Sequence, residues 1–536
     1  MSSEIIKKRY SQLQEDRSPF LEDAYKCSEL TIQFLLPRQG SEKNRGTPTL
    51  KKQHQSIGAM GVNNIANKLL LTLFPPNQPF FKLAIDDFTA LDLAGDPEAR
   101  SKIEQGFSAV ERTATDFVER SGIRPPFEEA LKHLIVTGNI LIHRAKGGGI
   151  EIFHMDQYVV LRDPNGKTRE IVLEEEHVWD GLPEDVQKLM IAEGYNPKNI
   201  NEAGERDGNE LLSMFTRIRK IDTKLWQVTQ EIEGIEVPVE GPNTFKDADN
   251  PWFALRFHAI KGSSWGRGYI SNFLGDLDTL EQLWKSLTHG AKAMAFLLFM
   301  IRPGATIRPK DIIEKVNGGF VTGTEADVTV LNSGGKGNDF TTVLNSIDRI
   351  TKRLAKALLM DESITRDAER VTAEEIRRLA NALEESLGGF YSILTQDFQV
   401  PYLDGTLKEL VKTKQIPPLP DEVKLLIITG LDALGRSSEA DRLIQFSQEL
   451  QAAVGPEAAA SLINGLDMAR RIGAARGIDT KGLIKSEEQM EQEAQQAQQQ
   501  ATQEQALGPT INAAGKIAAD MGPEGIAGAA QQLQQQ

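Results

Sequence analysis

GYISNFLGDLDTLEQLWKSLTHGAKAMAFLLFM, residues 268–300, carries the pattern that decides the fold. Phe273, Leu277, Leu280, Trp284, Leu287, Ala291, Met294 and Leu298 recur at alternating spacings of four and three. An α-helix returns to the same side every ~3.6 residues, so this stripe is an apolar seam packed at a shallow angle on another helix. The seam serves either a buried helix within one chain or the contact between neighbouring copies.

A partner helix is expected at 338–360, where Ile347, Ile350, Leu354 and Leu358 fall on one side. Arg349, Lys352, Arg353 and Lys356 cluster on the other. That basic side is either an ordinary solvated face or a phosphate-contacting one. Between the two helices, residues 301–337 read as a small irregular unit with short strands GGFVTG and DVTVLN, closed by Gly334 and Gly335. After a polar stretch at 361–371, a long helix is expected over 372–415, opened by a capping box of Thr372 and Glu375. Its stripe runs Ile376, Leu379, Leu383, Leu387, Phe390, Leu394, Phe398, with Gly388 and Gly389 in the middle as a candidate bend.

Working outward, residues 1–146 read as mostly helical. One amphipathic helix spans 55–74 before Pro75 and Pro76, another spans 102–120, and a third follows Pro125 and Pro126 and carries FEEALKHLIVTGNILIHR. Residues 150–260 change to strand periodicity, with a hairpin signal at Asp163, Pro164, Asn165 and Gly166 and a second strand pair in FTRIRKID and KLWQVTQEI. A smaller helical region is expected over 416–485. Residues 486–536 are rich in Gln, Ala, Gly and Glu and form a flexible tail. The fold class is therefore mainly α with a β-rich insertion (α+β).

The chain has 536 residues, too many for one core. Its net charge of −15 argues against a broad DNA-gripping surface. The single cysteine, Cys27, reads as a small buried apolar residue and forms no internal disulfide. The longest apolar run, residues 293–301, falls short of the roughly 20 residues that cross a bilayer, and no signal peptide is expected, so a soluble, cytoplasmically made protein with no membrane partner is predicted.

Catalytic motifs are missing. The nearest approach to a phosphate-binding loop, Gly334, Gly335, Lys336 and Gly337, has neither the spacing nor the following Ser or Thr. His54, His133, His143, His154, His177, His258 and His289 are scattered, and none pairs with another at ligand spacing. Glu174, Glu175, Glu176 and His177 would alternate faces in a strand and read as a solvated charge run. No catalytic residue, cofactor or metal is expected.

Four blocks, taken in order, resemble the portal (head-to-tail connector) proteins of T7-like short-tailed bacteriophages. They are QSIGAMGVNNIANKLLLTLFPPNQPFFKL from Gln55, SSWGRGYISNFLGDLDTLEQL from Ser263, GGFVTGTEADVTVL from Gly318 and ERVTAEEIRRLANALEESLGGFYSILTQDFQVP from Glu369. The resemblance spans about residues 10–480 and does not extend to the tail.

It implies a structural ring, usually of twelve subunits, at one capsid vertex of the virion, with wing, stem, clip and crown around an axial channel. Residues 1–267 would form the N-terminal wing region, with its β-rich part at about 150–260. Residues 268–300 and 338–360 would be the stem helices and 301–337 the clip. Residues 361–371 would be the tunnel loop, 372–415 the long bent wing helix, and 416–485 the crown.

The implied partners are the large terminase ATPase, the major capsid and scaffolding proteins, a tail adaptor, internal core proteins, and double-stranded DNA passing without sequence specificity. Arg349, Lys352, Arg353, Lys356, Arg366 and Arg370 are the candidate channel residues. A different virion or scaffolding protein without a closed ring, or a nucleic-acid enzyme with a dispersed site, remains an alternative.

Overall fold

The computed structural model describes residues 5–38, 50–76, 80–85, 97–195, 211–239, 241–295, 298–305, 307–310, 327–331, 337–360, 389–419, 423–427 and 433–463, with single positions between and just beyond them. The chain divides into two units, Met1–Leu434 and Gly435–Gln536.

In the first unit, α1 (Ile5–Glu29) precedes α2 (Ile57–Leu73), which buries Val62, Ile65, Leu69 and Leu73 along one stripe and ends just before the two prolines. The strand β1 (Phe81–Ile85) follows, then α3 (Pro97–Arg120) and α4 (Arg124–Thr137). Pro125 and Pro126 sit in the first turn of α4, where missing N–H groups cost nothing.

The third helix does not run through GNILIHR. Gly138 takes φ +79° and caps α4, and the chain turns into β2 (Asn139–Arg144). A Cβ at Gly138 would lie 2.2 Å from the Arg267 carbonyl carbon, so only glycine fits both the angle and the space. β2 lies between β3 (Ile150–Phe153) and β10 (Trp252–Arg256) in a three-stranded antiparallel sheet.

The insertion expected at 150–260 is an antiparallel sheet. β4 (Tyr158–Arg162), β5 (Thr168–Val178), β6 (Leu211–Asp222), β7 (Leu225–Ile232) and β8 (Ile235–Val237) pair in chain order, and β9 (Thr244–Lys246) also pairs with β7. The β4–β5 turn is the expected one: Gly166 has φ +83°, and its N–H donates to the Asp163 carbonyl at 2.8 Å. A short helix, α5 (Glu184–Ala192), follows β5. α1 is tied to this sheet by Arg17, whose Nη1 donates to the carbonyls of Met155, Asp156 and Tyr158 at 3.1, 2.7 and 2.9 Å.

A two-residue ladder, β11 (His258–Ala259) with β12 (Gly266–Arg267), leads through a 3-10 turn at Tyr269–Phe273 into α6 (Leu274–Ala295). The helix stops short of the expected residue 300. Leu298–Ile301 is instead β13, paired antiparallel with β14 (Val328–Leu331), because a run of large apolar residues can complete a ladder as readily as a helix turn. Then comes α7 (Gly337–Ala357).

After Gly389 the path continues as α8 (Phe390–Leu394), a π-helical turn at Thr395–Gln399, and α9 (Val400–Lys412). The region after Pro418 is not all helix: β15 (Val423–Ile427) pairs antiparallel with β1 and closes a ladder across more than 300 residues of sequence. The main core joins α2, α4, α6, α7, α8 and α9.

The second unit holds most of α10 (Ala433–Val454) and all of α11 (Pro456–Leu462), separated by Gly455 at φ +85°. Among the described residues no helix is long and apolar enough to cross a membrane.

Candidate functional site

The four basic residues singled out on 338–360 lie on the exposed side of α7. Opposite them, Ile347 and Leu354 are buried, which fixes the direction of the basic side away from the core. Lys352 pairs with Asp348 at 2.8 Å, one turn earlier, in an exposed contact worth little. Arg353 reaches across to Asp276 on α6, so it serves the helix pair itself. Among the described residues, Arg349 and Lys356 show no ion pair. Asp348 is the one carboxylate between Arg349 and Lys356 or beside them in that turn.

α6 supplies the other half of the hairpin. Leu277 and Leu280 of its seam are fully buried in the chain's own core, while Leu283, Trp284 and Leu287 pack against that core and stay half-exposed. The helices approach closely at Gly290, where a Cβ would lie 2.8 Å from Cζ of Phe340. Beyond that point the ladder of β13 and β14 joins the two helices. Its loop end is fixed by Asp327, whose carboxylate accepts from Arg302 Nη2 at 3.0 Å, Thr324 Oγ1 at 2.7 Å and Thr324 N at 3.2 Å. Those Thr324 hydrogen bonds, with Arg302 beside them, hold the Asp327 carboxyl below the usual carboxylate range.

The C-terminal end of α7 is held by side chains the sequence reading did not single out. A helix end leaves carbonyls without intrahelical partners. Tyr269 Oη donates to the Ala357 carbonyl at 2.9 Å. Asn64 Nδ2 donates to those of Leu358 and Leu359 at 2.9 and 2.8 Å, and Lys68 Nζ donates to that of Leu359 at 2.7 Å. The Lys68 charge also complements the negative end of the helix dipole. Leu359 itself is held at φ +55°. Gly61 completes the seat: a Cβ there would fall 2.3 Å from Cδ1 of Leu358. Gly61, Asn64 and Lys68 share one stripe of α2 at three-four spacing.

The returning chain is anchored to the same helix. Tyr391 Oη donates to the Thr72 carbonyl at 3.3 Å, and the buried Gln399 side chain donates to that of Leu73. Leu383, Leu387, Phe390, Leu394 and Phe398 are all buried. Gly389 has φ +83°, a left-handed residue immediately before α8. Arg366, Arg370, Gly388, the Thr372–Glu375 capping box and the 486–536 tail lie outside the described residues.

A second cluster also escaped the sequence reading. Glu129 and His133, one turn apart on α4, meet His154, which follows β3. The His133 and His154 rings lie 4.2 Å apart, so two histidines 21 positions apart in sequence do come together. The i, i+4 spacing of Glu129 and His133 was readable; the approach of His154 depends on the β2–β3 turn.

A family model described as "Bacteriophage head to tail connecting protein" matches residues 3–484. The chain is 34% identical over 499 residues to the portal protein of Escherichia phage T7, covering 92% of this chain and 90% of that one. It is 34% identical over 489 residues to the portal protein of Enterobacteria phage T3, covering 90% and 88%. Against the portal protein of Enterobacteria phage SP6 it is 30% identical over 496 residues, covering 91% of each.

Proposed function

This chain belongs to the bacteriophage head-to-tail connecting proteins, and from that premise we propose how it works at the junction of head and tail. Copies of the chain close into a ring, of twelve subunits as the family resemblance implies, at one capsid vertex. α6 and α7 are the stem helices, β13 and β14 with their connections are the clip, and residues 361–371 form the tunnel loop. Residues 372–415 form the wing helix and 416–485 the crown.

DNA slides through the channel without sequence readout, because contacts to the phosphate backbone carry none. The observation that carries the channel reading is the exposed row of Arg349, Lys352, Arg353 and Lys356 on the side of α7 opposite its buried stripe. In a ring such a row becomes circles of like charge, tolerable where solvent and phosphate screen them. The net charge of −15 keeps the rest of the surface from retaining DNA. The large terminase ATPase docks on the clip during packaging and the tail adaptor binds there afterwards. Capsid, scaffolding and internal core proteins contact the outer and upper parts. The chain itself carries no motor.

Negative-stain images of the purified full-length chain test this reading. End-on views of closed rings with a central channel are expected. Particles that remain monomers or dimers at micromolar concentration would overturn it.

A further inference from the structure

His133 is an anomaly of the core. Its side chain is fully buried at 0% exposure, yet among the described residues neither Nδ1 nor Nε2 has a hydrogen-bond partner. A buried imidazole has one donor and one acceptor to satisfy, and leaving both unmet is costly. Its ring lies against that of His154 at 4.2 Å and 33°, a packing that shares no proton between them. Glu129 stands one turn before His133 on α4, with its Oε1 3.7 Å from Nε2 of His154. Each of the three residues offers one ligand atom, and these atoms lie within 4.8 Å of one another.

We propose that Glu129, His133 and His154 form a binding site for a divalent transition-metal ion of the zinc type. Two imidazoles and a carboxylate are the donor set zinc accepts, while calcium and magnesium favour all-oxygen shells. Zinc bonds of about 2.0–2.1 Å in a tetrahedron put ligand atoms roughly 3.4 Å apart. The His154–Glu129 separation is already close to that, and Glu129, being exposed, can swing to close the wider gap.

Three protein ligands leave a fourth position for water. The ion would enter from the side of exposed Glu129 and half-buried His154. Once bound, it would fasten α4 to the turn between β3 and β4, and so the helical core to the sheet insertion. A single bridging water is the competing occupant, since it too would meet the needs of His133.

The test uses the full-length protein, stripped with a chelator and exchanged into metal-free buffer. Zn2+ is titrated against a chromogenic chelator, and Co2+ serves as a spectroscopic probe. One ion per chain is expected, with the intense visible bands of four-coordinate Co2+ and a higher thermal midpoint on adding Zn2+. His154→Ala and Glu129→Gln change residues outside the buried core and should fold, as circular dichroism would verify. Each should weaken Zn2+ binding at least about tenfold, and His154→Ala should abolish the Co2+ bands and the thermal shift. Two results would overturn the proposal: a wild-type chain that binds no Zn2+ at micromolar concentration, or a His154→Ala chain that binds as the wild type does.

Discussion

Gly61 and Gly389 are two glycines whose replacement by alanine tests different physics. At Gly61 the backbone would accept a side chain, but the Leu358 side chain occupies the space at 2.3 Å. Gly61→Ala is expected to cost about 1–3 kcal/mol through forced repacking, read as a lower urea midpoint with an unchanged slope. At Gly389 the difficulty is the angle. A mid-helix glycine replaced by alanine would ordinarily stabilise, and a bend at Gly388 and Gly389 suggested that direction. With φ +83°, however, Gly389→Ala works against the backbone and should cost roughly 1 kcal/mol. A variant more stable than the wild type would remove this argument.

The contrast marks the reach of sequence reasoning at this scale. That Arg349, Lys352, Arg353 and Lys356 share one side followed from helical geometry alone, while the direction of that side is set by the burial of Ile347 and Leu354 opposite. Asn64 and Lys68 lie on a helix the sequence marks only as amphipathic, and their partners at Leu358 and Leu359 lie almost 300 residues away. No local pattern encodes such a contact.

At the scale of elements, the helices with one continuous apolar stripe were the legible ones: α2 and α7 begin and end within a few residues of expectation, and α6 lies inside the expected 268–300 but is shorter at both ends. Three strands were taken for helix: β2, β13 and β15. Each is a run of four to six residues rich in Leu and Ile, too short for periodicity to separate the two states. What decides two of them lies elsewhere in the chain, the Val328–Leu331 partner for β13 and the Phe81–Ile85 partner for β15, whereas β2 is set by the glycine stop at 138 just before it.

The ladder of β13 and β14 depends on Asp327, which yields a pH prediction. Its carboxyl titrates lower in the folded chain than in the unfolded one. The unfolded state therefore takes up a proton first as pH falls, and the ladder loses stability below the usual carboxylate range. Amide exchange at residues 299–301 and 328–330 should quicken as pH drops through that range, after correction for intrinsic rates. In Asp327→Asn it should be faster already at neutral pH and nearly flat below. Equal protection in the two chains would take Asp327 out of the ladder's stability.

At the scale of the whole molecule, the basic side of α7 has to be divided before it can be tested. Arg353 already has a use within the chain, its pair with Asp276 on α6. That contact is substantially exposed, so Arg353→Gln should cost no more than about 1 kcal/mol and act on the helix pair. Lys352 is partly answered by Asp348. Arg349 and Lys356 are the cations best placed to act on something outside the subunit. Arg349→Gln with Lys356→Gln removes two positive charges from every subunit of the proposed ring.

If those charges meet DNA phosphate, rings should form normally by electron microscopy while packaged DNA falls or leaks, and the loss should not depend on genome sequence. The defect should also narrow as salt rises, because screening weakens the wild-type contact as well. If the residues instead serve contacts between subunits, the double variant should fail earlier, as incomplete rings. If they are merely solvated, packaging and retention should match the wild type. The single Arg353→Gln variant is the control: a small fall in thermal midpoint with unaltered DNA retention would separate the cation that braces the hairpin from those proposed to face the channel.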